Sequence, residues 1–583
     1  MPKIDLALIH APSVYDFRNK SIMYGPMSDV VPSTPVFEMY PVGFVSITEY
    51  LERHGLNVRI FNLAIKMLNG NGFNADKVLK SLKPKAFGID LHWLPHAHGS
   101  VEVARKLKEL HKNTPVIFGG FSSTYFHKEL ISYPFIDYVM RGDSTEEPLR
   151  MLMECIKKGE EPAHVPNLTW KDKKGEIHIN PLSHVPNDIE NIELDYNTVV
   201  RSVLKYRDLA SFVPFKDWLE YPITAAMSCR GCDKNCITCG GSAFTFKNFL
   251  NRDKTVYRSP ASLVKDIKSI RKLTKAPIIL IGDIRMNGDD YAEEFLTMIE
   301  KEKIENRVIV EFFSPVPRDF MVKLARALPR FTIEMSCESH DEEIRARFGK
   351  RYTNEGLENT IEYACEMGCE RFDLFFMTGL SGQTYQSVMD TVDYSRKLLA
   401  YRNGNGRVFP FVSPLAPFID PGSLAFEFPE KYGYKMSCRT LEEHRKALVA
   451  PSWKYIMNYE TEWMTRDEIV FSTYEAGIGM NRLKAEKGLV DKKTAAVTEK
   501  RIIKAMKVIK EIDTILTVDD KESRKKKLKA LKPIVDRSNL STVCEKNELN
   551  LPVGLLRFNI PKIAKAFIKS HVESLSLAFR RNR

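Results

Sequence analysis

Short apolar runs, separated by longer stretches with apolar residues at helical spacing, dominate the first two thirds of this chain. The run Ile4–Ile9 reads as a buried strand, and Val58–Phe61, Ala86–Ile89, Pro115–Gly120 and Ile136–Met140 repeat it. Helical patterns lie at 42–54, 100–112 and 145–158. Strands alternating with helices predict a parallel, doubly wound α/β sheet whose ligand belongs at the carboxyl ends of the strands. Gly119 and Gly120 end one such strand and Gly142 follows another; glycine there lets a flat ligand approach the backbone, although a tight turn calls for the same residues. Residues 166–180 read as a hairpin turning at Asp172–Gly175.

A second alternation starts at Ile223–Met227. Strands at 277–281, 307–312, 331–335, 371–376 and 408–412 take turns with helices at 259–272, 290–302, 317–327, 353–367 and 383–400. Six strands with five helices between them predict a partial parallel (β/α)6 barrel, open on one side to admit a large substrate, with its site at the C-terminal strand ends. Beyond it, aromatic residues and prolines fill 409–434, and residues 499–535 read as two basic helices around Asp519-Asp520. Ile560, Ile563, Ala564, Phe567 and Ile568 share one helical face, with Lys562, Lys565 and Lys569 off it. The pattern divides the chain into a doubly wound domain (1–160), a linker with a hairpin (161–220), the partial barrel (221–410) and a mostly helical C-terminal region (411–583).

Composition adds a bound and a bias. At 583 residues, 43% apolar and 28% charged, the chain is too long for one core and reads as a soluble globular protein. No apolar run reaches membrane-spanning length, the start lacks the pattern of a signal peptide, and ten cysteines suit a reducing cytoplasm. The net charge of +12 is concentrated: residues 499–583 hold 21 Lys and Arg against 10 Asp and Glu, a difference of +11. The tail therefore calls for an acidic partner, such as the anionic inner membrane surface met peripherally by the basic amphipathic segment, or simply docks on the protein. Nucleic acid is disfavoured, because no recognisable nucleic-acid module accompanies the charge.

Four of the ten cysteines fall within Cys229-Arg230-Gly231-Cys232-Asp233-Lys234-Asn235-Cys236-Ile237-Thr238-Cys239-Gly240-Gly241. Cys232, Cys236 and Cys239 read C-x3-C-x2-C. Three close thiolates on a glycine-flanked loop can hold three corners of an iron–sulfur cube and leave the fourth iron open. The alternative is a structural zinc closed by all four cysteines, although paired C-x2-C motifs in zinc sites normally stand a dozen or more residues apart.

The C-x3-C-x2-C run resembles the signature of radical S-adenosylmethionine (SAM) enzymes, and Cys-Arg-Gly-Cys before it and Cys-Gly-Gly after it resemble the version found in members that also bind cobalamin. The resemblance implies a [4Fe-4S] cluster on Cys232, Cys236 and Cys239, with SAM chelating the open iron and Cys229 as a packed thiol. It extends to residues 1–150. There Tyr50-Leu-Glu-Arg-His-Gly-Leu-Asn-Val-Arg-Ile-Phe61, Val116-Ile-Phe-Gly-Gly-Phe-Ser-Ser123 and Ile136-Asp-Tyr-Val-Met-Arg-Gly-Asp143 look like a cobalamin-binding domain, with Gly119, Gly120 and Gly142 near the cofactor. Many such domains carry Asp-x-His-x-x-Gly after the first strand. Here Asp90-Leu-His92 follows the third strand without the glycine, so His92 is expected near the corrin edge or nucleotide tail and not on the cobalt. In the barrel the resemblance assigns Asp283, Ser336, Glu338 and Gly379 to SAM. Gly379-Leu-Ser-Gly-Gln-Thr384 departs from the family by placing Gln383 where an acid is usual.

The implied function is reductive cleavage of SAM to a 5′-deoxyadenosyl radical, with electrons from an external donor. Methylcobalamin would then deliver a methyl group to an unactivated carbon of a small-molecule or lipid substrate. Other readings stand beside it: a radical SAM enzyme forming a carbon–carbon bond or ring without methyl transfer, one whose N-terminal domain has lost cobalamin, or a non-catalytic zinc-stabilised binding protein.

Overall fold

The computed structural model describes residues 3–28, 33–70, 72–400, 406–414 and 418–539, with shorter stretches between 544 and 564. Five parallel strands form the N-terminal sheet: β1 (Ile4–His10), β2 (Val58–Asn62), β3 (Pro84–Asp90), β4 (Val116–Gly119) and β5 (Tyr138–Met140). The hairpin β6 (Leu168–Lys171) and β7 (Ile177–Ile179) adds two antiparallel strands to one edge, giving the order β2-β1-β3-β4-β5-β6-β7. β1 is buried along its whole length, as a strand covered on both faces by helices must be. Helices Gly43–Arg53, Ala97–Leu110 and Glu146–Lys158 stand close to the expected positions. The linker holds more than its hairpin: helix Tyr196–Tyr206, capped by Asp195, packs against both domains and places the Tyr196 hydroxyl on the Ala225 backbone.

The second sheet begins with β8 (Thr224–Met227). A short ribbon of β9 (Cys229–Arg230) and antiparallel β10 (Val256–Tyr257) follows, then β11 (Ile278–Ile281), β12 (Val308–Glu311), β13 (Phe331–Glu338), β14 (Arg371–Thr378) and β15 (Val408–Pro414). Six parallel strands in the order β8-β11-β12-β13-β14-β15 make the partial barrel expected from the sequence. Alternation sets its two faces: in β13, Ile333 and Met335 are fully buried in the core, so Glu334 and Ser336 face the barrel interior.

The barrel's open edge is backed by the C-terminal region. Helix Arg466–Glu486 packs on β15, helix Lys492–Leu516 packs on that helix, and Asp520 caps the last described basic helix, Lys521–Ser538. Ile560 is 64% exposed and residues 560–564 form a helical turn; Lys565, Phe567, Ile568, Lys569 and the rest of the expected amphipathic segment lie outside the described residues. Among the described residues no helix is long and apolar enough to cross a membrane.

Candidate active site

The cysteine loop leaves the barrel at the carboxyl end of β8. Cys229 and Arg230 are first drawn into β9, where Cys229 pairs with Tyr257 and its Sγ faces the bare Cα of Gly282; a Cβ there would lie 2.9 Å from the sulfur. Burial pushes the Cys229 thiol up to about 11. Cys229 is half-buried between Tyr257 and Gly282.

From Cys232 onward the loop is pinned by backbone on both sides. Ile237 N–H donates to Phe348 O at 2.9 Å, and Ile237 O accepts from Ala425 N–H at 2.7 Å. Asn235 Oδ1 accepts from Phe244 N–H at 2.8 Å, and Ser242 caps helix Ala243–Phe249, which ends the loop. Gly240 is required by a close approach: its N–H donates to Asp420 Oδ2 at 2.9 Å, and a Cβ would meet the Asp420 Cβ at 2.8 Å. Burial holds the Asp420 carboxyl up at about 6.

Cys232, Cys236 and Cys239 lie near enough for charge to be felt between them: Cys236 would feel a Cys232 thiolate, and Cys239 both of the others. Burial is the main cause that raises all three, Cys236 to about 11. Backbone N–H groups of Lys234 and Gly241 donate to Cys232 Sγ and Cys239 Sγ at 3.4 and 3.3 Å, the kind of bond that steadies cluster thiolates. Among the described residues no three His, Cys, Asp or Glu side chains converge as a site for a single ion. A cubane makes no such demand, because its three thiolates sit on three separate irons.

The expected SAM residues fall at the same barrel mouth and differ in what they are free to do. Asp283 has both oxygens engaged: Oδ1 takes Arg285 N–H and Nε at 3.0 Å, and Oδ2 takes Arg285 Nη2 at 2.6 Å and Phe313 N–H at 3.1 Å. Its carboxylate therefore closes the turn after β11. Glu338 is different. It sits at a bulge in β13 at φ +58°, pairs through Oε1 with the buried Lys350 at 2.8 Å, and leaves Oε2 buried without a hydrogen bond. Lys350 also donates to Ser336 O at 2.7 Å, which ties Ser336 to Glu338. Gly379, at φ +86°, makes room for Tyr459, whose hydroxyl would lie 2.5 Å from a Cβ and makes no hydrogen bond. Gln383 closes its own turn, accepting from Gly379 and Leu380 N–H at 2.8 and 3.1 Å. Glu338 Oε2 and the Tyr459 hydroxyl are two buried polar atoms left without a partner, which suits a polar ligand at the strand ends.

Below the mouth, Glu311, Glu334 and Asp373 occupy one level of β12, β13 and β14 in strict register. Asp373 pairs with Arg371 at 2.7 Å. Burial, with Asp373 and Glu311 alongside, lifts Glu334 to about 8, so it is a neutral acid at pH 7.

At the carboxyl end of the N-terminal sheet, Gly120 at φ +115° serves a structural need, since a Cβ would meet the His92 backbone at 2.6 Å. Gly142 N–H donates to Thr124 Oγ1 at 3.0 Å, while Gly119 faces nothing nearer than the Met140 carbonyl at 4.0 Å. Asp90 does not hold His92. Its carboxylate binds His10 Nδ1 at 3.0 and 3.1 Å, and His10 Nε2 bonds to Phe37 O at 2.9 Å. His92 rests on Phe121 at 4.7 Å and on Trp93 at 5.1 Å, and burial lowers it to about 4. A neutral imidazole beside a Trp93 that is 38% exposed, with an open glycine near by, fits a broad apolar ring at this strand end.

Lys350, Asp420, Glu146 and Arg252 were not singled out from sequence. Each acts on the site across a long stretch of chain; only the isolated Gly349-Lys350 after a helical pattern gave a local hint of a special turn.

The comparisons agree with this geometry. Residues 227–395 match the model of the radical SAM superfamily, and residues 29–150 that of the B12 binding domain. An uncharacterized methyltransferase of Pyrococcus horikoshii is 22% identical over 336 residues, 55% of this chain; the chain covers 66% of that relative's length, just under two thirds. Among solved structures, the radical SAM methyltransferase TsrM from Kitasatospora setae, with cobalamin and a [4Fe-4S] cluster bound, superposes at a TM-score of 0.54. It is 15% identical, with 82% of this chain and 89% of that one covered. The cobalamin-dependent radical enzyme OxsB, with aqua-cobalamin and SAM bound, superposes at 0.52 with 13% identity, covering 100% of this chain and 81% of that one. These likenesses show a shared fold. The chain carries a radical SAM domain over residues 227–395 and, ahead of it, a B12-binding domain over residues 29–150.

Proposed function

We propose that this chain is a cobalamin-dependent radical SAM methyltransferase acting on an unactivated carbon of a small-molecule substrate. The observation that carries the reading is the placement of Cys232, Cys236 and Cys239 at the barrel mouth, with the loop that bears them docked on the carboxyl end of the N-terminal sheet. When bound, the cluster with SAM supplies a 5′-deoxyadenosyl radical and cobalamin supplies a methyl group.

The protein's own part is holding and excluding. Cys232, Cys236 and Cys239 would hold three irons, and the unpaired Glu338 Oε2 and Tyr459 hydroxyl would orient SAM at the strand ends. Gly119, His92 and Trp93 would line the corrin. Asp283 keeps its cap on the turn after β11 and supports the mouth indirectly. The basic C-terminal helices suit contact with an anionic surface, which would favour a lipid substrate over a freely diffusing one. An external donor would supply the electron.

Anaerobic reconstitution with iron, sulfide and hydroxocobalamin tests the reading. One cluster and one corrin per chain are expected, followed by transfer of label from methyl-labelled SAM to a substrate. A cluster without corrin would remove cobalamin from the proposal, and zinc with neither would overturn it.

A further inference from the structure

Two arginines flank the cysteine loop, and both leave the barrel to bind the N-terminal domain. Arg230 lies in β9, just ahead of Cys232. Its Nη1 donates to Glu146 Oε2 at 3.0 Å and its Nη2 to Glu146 Oε1, with the side chains 11% and 4% exposed. Glu146 opens the helix that follows β5 and is steadied from another helix by Ser46 Oγ at 2.8 Å. Arg252 lies just past helix Ala243–Phe249. Its Nε and Nη2 grip both oxygens of Asp143, Nη2 also reaches Ser144 Oγ at 3.2 Å, and Nη1 reaches Pro186 O in the linker at 3.1 Å. The Arg252 and Asp143 side chains are 1% and 4% exposed. Asp143 and Glu146 follow β5 at the same end of the sheet as Gly119 and His92.

A buried ion pair adds little net stability over apolar residues of the same volume. Two forked guanidinium–carboxylate contacts supply direction instead, because both planes must match for all the bonds to form. An apolar seam would let the loop slide; these two contacts do not.

We propose that Arg230 and Arg252 are positioning residues: they clamp both ends of the cluster-bearing segment to Asp143 and Glu146, and so set how the cluster faces a corrin bound at the carboxyl end of the N-terminal sheet. The proposal rests on the cobalamin reading above. It makes the cluster's position a property of two domains and not of the barrel alone.

The test uses the full chain reconstituted with iron, sulfide and hydroxocobalamin, as wild type, Glu146→Gln and Arg252→Lys. Iron and corrin per chain are measured first. The two cofactors are then reduced, and the relaxation of the cob(II)alamin electron spin by the reduced cluster is read by pulsed electron paramagnetic resonance. Both variants are expected to load cluster and corrin while the cluster-induced relaxation falls and broadens, because the cluster no longer holds one position. If Glu146→Gln fails to load, Ser46→Ala, which removes only the hydroxyl steadying Glu146, replaces it with the same readout. Wild-type relaxation in doubly loaded variants would overturn the proposal, since a merely structural role changes loading but not the coupling of loaded molecules. A wild-type protein that takes up no corrin would instead overturn the functional reading, and the clamp with it.

Discussion

Alanine at Gly349 should empty the cluster site without touching a cysteine. Gly349 ends helix Glu342–Phe348 at φ +115°, a conformation that side chains rarely adopt. A Cβ there would lie 2.7 Å from the Asn235 carbonyl oxygen and 3.3 Å from the Cys236 Cα, in the middle of the cysteine loop. The backbone conformation alone costs about 1–3 kcal/mol. Moving the Asn235 carbonyl away also endangers the neighbouring bond from Ile237 N–H to Phe348 O, worth about 1 kcal/mol. The sum, about 2–4 kcal/mol, falls on the residues that aim Cys236. Gly368 is the control, with φ +87° and nothing within 4 Å of an added Cβ. Gly368→Ala should cost only that backbone strain, about 1–3 kcal/mol, and keep the cluster. Iron and sulfide per chain after anaerobic reconstitution, with thermal unfolding of the iron-free chain, separate the two. A Gly349→Ala protein with a full cluster and the melting temperature of Gly368→Ala would refute the reasoning.

Alanine at Cys232, Cys236 or Cys239 should each abolish stable cluster binding, whereas Cys229→Ala should retain it; iron and sulfide analysis decides, and loss of the cluster from Cys229→Ala would make that thiol a ligand. Asp90 raises His10 and is itself lowered by it, although burial opposes the first and second shifts alike. The His10 contribution is complete below its unfolded value near 6.5 and lost as pH rises through its raised folded value, while the Asp90 contribution is present above about 3.9 and lost below. The loss in melting temperature from Asp90→Asn should therefore be greatest between about pH 4 and 6.5 and shrink at higher pH. Glu334 works the other way: burial keeps it protonated in the fold to about 8, so the wild type pays increasingly from about pH 4.5 upward. Glu334→Gln, which mimics the neutral acid, should raise the melting temperature more at pH 8 than at pH 5; an equal effect at both would mean that Glu334 is ionised in the fold.

Local periodicity made the two sheets readable. β1 and β3 are mostly apolar, interrupted by Asp5 and Lys85, because helices cover both faces of the N-terminal sheet, and β12 is apolar up to Glu311 at its carboxyl end. Helix Tyr196–Tyr206 was missed although Tyr196, Val199, Val203 and Tyr206 pack against the core; it stands alone in a segment otherwise read as polar linker. The candidate ligand cysteines were legible because Cys232, Cys236 and Cys239 stand close together in the sequence. Asp283 was readable as a carboxylate at a strand end, but nothing local showed that Arg285, two residues on, would occupy it. Asp90-Leu-His92 looked like half of a cofactor motif, yet its acid was already committed to His10, eighty residues earlier.

What a local motif cannot carry is the position of its own loop. The cysteine segment is held by Phe348 and Gly349 from the barrel, by Asp420 and Ala425 from the C-terminal region, and by Asp143 and Glu146 from the N-terminal domain. These contacts come from three regions far apart in the chain, and neither the Arg-Gly before Cys232 nor the Arg-Gly-Asp after β5 shows by itself what it will meet. Spacing therefore offers candidate ligands, because they lie within one short loop. Where the cluster stands relative to SAM and the corrin is decided by contacts that exist only once all three regions have docked. A 1 Å displacement of reacting groups can cost roughly 100-fold in rate. On that scale the distant contacts that hold the loop bear on activity as directly as the cysteines themselves.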